Sequence, residues 1–264
     1  MPFTPAHVAA VLPVAEPLRR AAPVALTALV VGSMAPDIPY YLPVPLDRAA
    51  THSVADAFTW TALMALVATT LWVFLVAPAA RDLAPQWVRE RLRPPERRPR
   101  LRDLPLAYAF AVAGVGTHLL WDGVSHLDGY VVRHHPSLLV VHGRWPLYQD
   151  IQLASSALGC LAVAGYVLVV LLLRRPHPVE PPRVTWQPVA RTALLVAFVV
   201  GALIGQADSP NGDPSHDLGV FVATRSIGLS TAAVAVICAV WWVQVLVRRE
   251  PAQPVASQSS TSRR

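Results

Sequence analysis

The stretch Gly116-Thr-His-Leu-Leu-Trp-Asp-Gly-Val-Ser-His-Leu-Asp-Gly129 sets His118, Asp122 and His126 four residues apart at the end of an apolar run. On an α-helix this spacing stacks all three on one face, each about 6 Å along the axis from the last, given a rise of ~1.5 Å per residue. Polar groups on an apolar helix are costly to leave unpaired, so three on one stripe call for a partner. A metal ion suits two imidazoles flanking a carboxylate. Hydrogen bonds to neighbouring helices, or to water at a membrane edge, are the alternative.

The composition around this stretch is that of a membrane protein. Of the 264 residues 54% are hydrophobic and only 14% charged, and the mean hydropathy is +0.43, outside the usual range of a soluble domain. The net charge of +6 rests on arginine alone, since the chain has no lysine. These arginines cluster between apolar runs instead of lining one polar face, which marks them as topology signals and argues against nucleic acid. Cys160 and Cys238 sit in apolar runs without a CxxC spacing, so neither a disulfide framework nor a thiolate zinc site is indicated.

The expected fold is all-α, a polytopic membrane helical bundle with about five clear spans and a short N-terminal helical hairpin. The hairpin comprises two apolar runs, up to Arg20 and from Ala21 to Met34, each shorter than the ~20 residues of a full span. Thr4 is expected to cap the first, with Pro5 at the first helical position and His7 in the first turn. A Pro- and aromatic-rich loop over 35–57 brings Asp37 and His52 to the mouth of the next span, Phe58 to Pro78. Residues 81–103 read as an exposed, irregular connector rich in Pro and Arg. The remaining spans are expected at Pro105 to about Asp122, Ile151–Leu173, Val189–Gly205 and Leu218–Val247. The organisation expected is a motif-bearing membrane domain over 1–173, additional transmembrane helices over 174–247, and a disordered cytoplasmic tail over 248–264.

Residues 1–20, 79–104, 174–191 and 248–264 hold 18 of the 22 arginines. If basic segments stay in the cytoplasm, then Asp37, His52 and the end of the His118 helix share the outer face of a bacterial cytoplasmic membrane. Separate elements would thus deliver their polar groups to one side.

The motifs Met1-Pro-Phe-Thr-Pro-Ala-His7, Gly32-Ser-Met-Ala-Pro-Asp37, Thr51-His52, His118-Leu-Leu-Trp-Asp122 with Ser125-His126, and Gln152-Leu-Ala-Ser-Ser-Ala-Leu-Gly159 occur in that order. Together they resemble the bacterial membrane-protein family catalogued as domain of unknown function 4184, over roughly residues 1–170. The family in turn resembles, more distantly, membrane-bound metal-dependent hydrolases and the zinc-dependent phospholipase C fold. By that similarity Asp37, His52, His118 and Asp122 would hold one metal, and Asp122 would bridge to a second held also by His7. His126 would be a further ligand or would support one. The third zinc site of the phospholipases uses a His and a Glu one helical turn apart, and this chain has no His-x-x-x-Glu, so one or two metal ions are implied.

Imidazole and carboxylate suit zinc and similar divalent ions, and a carboxylate can bridge two of them. The function expected is therefore a membrane-embedded metal-dependent hydrolase, with Asp122 as the candidate catalytic residue and a lipid or other phosphate ester as substrate. Its alternatives are a membrane protein with a structural metal, and a transporter or channel. Against the last, the spans are nearly free of polar side chains at mid-depth. Arg225 is a candidate to pair with a phosphate or to snorkel to the interface. His134, His135 and His142 read as surface histidines, and Asp208, Asp213, His216 and Asp217 as a turn that could bind a cation. Tyr40, Tyr41, Trp72, Trp121, Trp145, Trp241 and Trp242 fit an interfacial aromatic belt. No nucleotide-binding glycine loop, nucleophile elbow or nucleic-acid reader is present.

Overall fold

The structure is a computed structural model and describes residues 3–92, 99–143, 145–208 and 216–248. The fold is all-α apart from a two-residue antiparallel pairing of Val141–His142 with Trp145–Pro146. Among the described residues five helices are long and apolar enough to cross a membrane, which is the architecture of an integral membrane protein.

The N-terminal part is a 3-10 helix, Thr4–Val11, followed by α1 (Leu12–Ala21) and α2 (Pro23–Gly32). Proline disfavours the helical conformation in the residue before it. Ala22 accordingly leaves the helical region at φ −150°, which separates α1 from α2. The exposed face of α1 is held by Glu16, which accepts hydrogen bonds from Arg19 and Arg20. The cap expected at Thr4 does not form. Phe3 takes the cap position without a side-chain hydrogen bond, because the Thr4 hydroxyl is committed to Asp37.

Residues 35–57 are more ordered than a loop, with helical turns at Ala35–Asp37, Ile38–Tyr41, Arg48–Thr51 and Val54–Ala57. Asp47 and Ser53 cap the last two, so side-chain acceptors supply what the low hydrophobicity does not. The span α3 (Val54–Leu83) continues past Pro78, where the sequence pattern ends it. A π-helical turn at Trp72–Val76 precedes the proline, and such a widened turn accommodates a ring that has no N–H to donate. The 81–103 connector therefore starts later than expected and carries a further helical turn at Gln86–Arg89, while 93–98 lie outside the described residues.

Helix α4 (Leu104–Ser125) starts with Pro105 in its first turn and buries Ala107, Ala111, Gly114, Val115, His118, Asp122 and Ser125. Those positions form one 3.6-residue stripe. It packs closely on α2, and both contact α3 around a core of Ala28, Ala35, Ala65, Ala107 and Ala111. Small residues let helix backbones approach where lipid removes the hydrophobic drive to associate. Helix α5 (Leu147–Leu173) touches the Thr4–Val11 turn. Only 6% of its most apolar window is buried in the protein, which leaves the remainder for lipid.

Helices α6 (Gln187–Asp208) and α7 (His216–Val247) pack mainly on each other and dock on the end of α3. Trp241 of α7 departs from the expected belt. It is almost fully buried in a second core with Ala79, Leu83 and Val184, because its indole N–H finds an acceptor in Asp82 Oδ2 at 2.8 Å. Residues 249–264, the expected tail, lie outside the described residues.

Candidate metal centre

The contact of α2 with α4 positions the site. Gly114 lies against the backbone of Leu29 and Ser33, and Gly32 against that of Ala111, at separations no side chain permits. One turn beyond Gly114, His118 faces the end of α2, and its Nδ1 lies 2.9 Å from the Ser33 carbonyl oxygen. With Nδ1–H donating to that carbonyl, Nε2 keeps its lone pair for the interior. The placement of Nδ1 recurs at His52, 3.2 Å from the Arg48 carbonyl oxygen, which turns Nε2 toward the cluster. Histidine ligands of metals are commonly oriented in this way.

Six side chains from four stretches of sequence meet here. Asp37 Oδ1 lies 3.6 Å from His52 Nε2 and 3.7 Å from His118 Nε2. Asp122 Oδ2 lies 3.4 Å from His52 Nε2 and 3.3 Å from His118 Nε2. The other oxygen of Asp122, Oδ1, faces a different pair, His7 Nε2 at 3.5 Å and His126 Nδ1 at 3.3 Å. Asp37 Oδ2 is turned away from the cluster and accepts the Thr4 hydroxyl proton at 2.6 Å. Thr4 also shares a hydrogen bond with the Tyr41 hydroxyl. His7 stacks on His118 with ring centroids 3.8 Å apart.

The helical stripe is one residue shorter than its spacing implies. Helix α4 ends at Ser125, and His126 follows in extended conformation, φ −122° and ψ 148°, with its N–H still bonded to the Asp122 carbonyl. The chain then folds back so closely that a Cβ on Gly129 would lie 2.5 Å from the Gly123 carbonyl oxygen. His126 thus reaches Asp122 from the rim.

Burial and charge set the protonation of the groups outside the spans. Burial and the neighbouring His118 pull His7 down to about 4, against the pull of Asp122 and Asp37. Burial also disfavours a charged His52, but the Asp122 and Asp37 carboxylates outweigh it and hold His52 up at about 9. Burial pushes Asp37 up, yet His52, His118 and the Thr4 hydroxyl hold it below the usual carboxylate range. Two carboxylates in a sealed pocket need positive charge beside them.

Hydrogen bonding within the protein does not complete this cluster. His7 Nδ1 and Nε2, His52 Nε2, His118 Nε2, Asp122 Oδ1 and His126 Nε2 are buried without a hydrogen-bond partner. Each such group costs on the order of 1–3 kcal/mol when left unsatisfied, and the pattern is the one a cation would relieve. Metal–ligand distances of about 2.0–2.1 Å in a tetrahedron put neighbouring donors roughly 3.3 Å apart, close to the separations between the His and Asp atoms here. Among the described residues two triads have all their donor atoms within 4.8 Å of one another, His7–His118–Asp122 and Asp37–His52–His118. These buried groups could hold a metal ion. His126 belongs to neither triad.

The other candidates lie elsewhere. His134 and His135 are exposed, and His134 is occupied with the Tyr130 carbonyl and ring. Arg225 pairs with Asp208 at 2.8 Å, which gives that Asp a partner other than a metal ion. The side chains of His142, Asp213, His216 and Asp217 lie outside the described residues. Thr4, Tyr41 and the Ser33 carbonyl were not legible as parts of the site from the sequence, although Thr4 and Ser33 lie inside the two motifs that contain His7 and Asp37.

A family model described as Domain of unknown function (DUF4184) matches residues 1–245, and the chain belongs to that family. The match runs on through α6 and most of α7, where the sequence shows no recognised motif. No curated protein and no solved structure matches the chain.

Proposed function

We propose that this protein is a membrane-embedded metal-dependent hydrolase acting on phosphate esters, such as lipid head groups, at the outer face of a bacterial cytoplasmic membrane. The observation that carries the reading is the division of Asp122, whose two oxygens face two separate sets of histidines. In this reading Asp37, His52, His118 and Asp122 hold one divalent ion, and Asp122, His7 and His126 a second. Zinc suits the donors. When bound, two such ions supply an activated water and neutralise charge on a phosphoryl group. The resemblance to metal-dependent hydrolases and the outward placement implied by the arginine distribution support the same reading.

The protein's own groups have definable tasks. The Ser33 and Arg48 carbonyls hold His118 and His52 with Nε2 inward, and Thr4 keeps Asp37 Oδ1 turned to the cluster. Within the cluster His52 and His126 are the least buried histidines, with side chains 10% and 11% exposed. A cavity of about 250 Å³ adjoins His126 and is lined also by Arg48, Tyr148 and Gln149, which gives a substrate a way to the rim of the site. Arg48, now bonded to Asp128, is the cation on that path.

A structural metal site is favoured by one observation, the near-complete burial of His7, His118 and Asp37. Metal analysis combined with activity separates the two. Wild type should carry divalent metal and hydrolyse at least one member of a panel of phospholipids and isoprenoid phosphates. Asp122→Asn should lose metal and at least about 100-fold in activity, with membrane insertion intact. Full metal content with no activity across the panel would discard hydrolysis and leave the structural role.

A further inference from the structure

At the opposite end of α3 from His52, roughly 40 Å along a helix of this length, lies a second cavity of about 400 Å³. That volume is within the ~300–1,000 Å³ typical of small-molecule sites. Its walls come from the last turns of α3, the turn that carries Arg89, the 177–183 linker and Trp241 of α7. We propose that this cavity binds a phosphate-bearing anion, using the guanidinium groups of Arg81, Arg89 and Arg183 together with His177.

The charges that face the cavity are unequal. Three arginines and His177 line it, against the carboxylates of Asp82 and Glu180. Asp82 is already engaged, since it accepts the indole N–H of Trp241 at 2.8 Å and the Arg183 backbone N–H at 3.1 Å. Arg89 donates to the Glu180 carbonyl at 2.6 Å, and Arg183 lies over the Trp241 ring at 5.9 Å. Among the described residues none of the three arginines is ion-paired. The buried Arg81 Nε and His177 Nδ1 have no hydrogen-bond partner at all.

A half-buried guanidinium without a partner is a net cost to the fold, so Arg81 does not earn its place through internal contacts. A planar donor fork suits a tetrahedral oxyanion. The cavity also lies where α3 and α5 end, the level at which a bilayer presents phosphate. Basic pockets between helix ends on the cytoplasmic side hold anionic lipid head groups elsewhere, and this is the side to which the arginine-rich segments assign it.

The test uses the full chain in two arms. In nanodiscs of mixed phosphatidylglycerol and phosphatidylcholine, native mass spectrometry should find phosphatidylglycerol retained on wild type and about tenfold less on Arg81→Gln. In detergent, titration with inorganic phosphate should raise the unfolding temperature of wild type, and not of Arg81→Gln, if a free anion is the ligand. A response in the lipid arm alone identifies a lipid head group, and in the phosphate arm a soluble one. The ligand-free unfolding temperature of Arg81→Gln should equal or exceed that of wild type. A fall in that temperature, or no difference between the proteins in either arm, would overturn the proposal. Exposed Arg102→Gln should behave as wild type, and an equal loss there would mean diffuse attraction and no site. His177→Ala provides the second variant, with reduced retention expected and unchanged retention counting against the cavity.

Discussion

Helix α2 meets α4 and helix α6 meets α7 by the same device, glycines that bring backbones into contact. At the first junction Gly32 and Gly114 lie against Ala111, Leu29 and Ser33. At the second, a Cβ on Gly201 would fall 2.6 Å from the Ser226 Cα, and one on Gly205 2.5 Å from the Phe221 carbonyl oxygen. The junctions differ in what lies beyond the contact. The first carries His118 to the Ser33 carbonyl and Asp122 to three further histidines. The second buries the Ser226 hydroxyl without a partner and gathers no cluster of titratable groups among the described residues. Close packing by small residues is thus a general way to join helices in lipid, and the chemistry comes from polar residues one or two turns further along.

Substitutions at these junctions test that separation. The largest effect should come from Gly114→Leu, which sets a side chain against the α2 backbone. Overpacking of this kind costs about 3 kcal/mol or more, and the displaced α4 should carry His118 and Asp122 out of register. Loss of both metal and cooperative unfolding is expected, measured by elemental analysis and thermal denaturation. A folded variant with full metal content would show that the glycine contact does not place the site.

Gly201→Leu introduces the same bulk at the second junction. Stability should fall by about 1–3 kcal/mol while metal content stays at the wild-type level. If this variant also empties the site, the two regions are coupled and the contrast between them fails.

The smallest effect should follow Thr4→Val, which keeps the shape of the side chain and removes its hydroxyl. Asp37 Oδ2 then loses the donor at 2.6 Å, a change of about 1–2 kcal/mol in stability and about tenfold in metal affinity. Competition with a chelator of known affinity measures the latter. An unchanged affinity would mean that Asp37 is held in place by the fold around Pro36 and not by Thr4.

Sequence by itself determined where the helices are, because hydropathy accumulates residue by residue along a run of roughly 20, and α3 to α7 each contain such a run. It also determined that His118 and Asp122 share a face, since a helical period is a local property. Only the tertiary structure decided the rest. That Thr4 would serve Asp37 instead of capping its own helix depends on a partner 33 residues away, and no local propensity encodes a competition of that kind. The continuation of α3 through Pro78 depends on a widened turn that later packs against α7. Trp241 became a core residue because Asp82, 159 positions earlier, offered its indole an acceptor. The division of the Asp122 oxygens between two pairs of histidines likewise depends on three elements arriving together. The spacing along the α4 stretch supplies one histidine to each oxygen, His118 to Oδ2 and His126 to Oδ1, and packing of the Arg48–Thr51 turn and the 3-10 helix adds the second, His52 and His7.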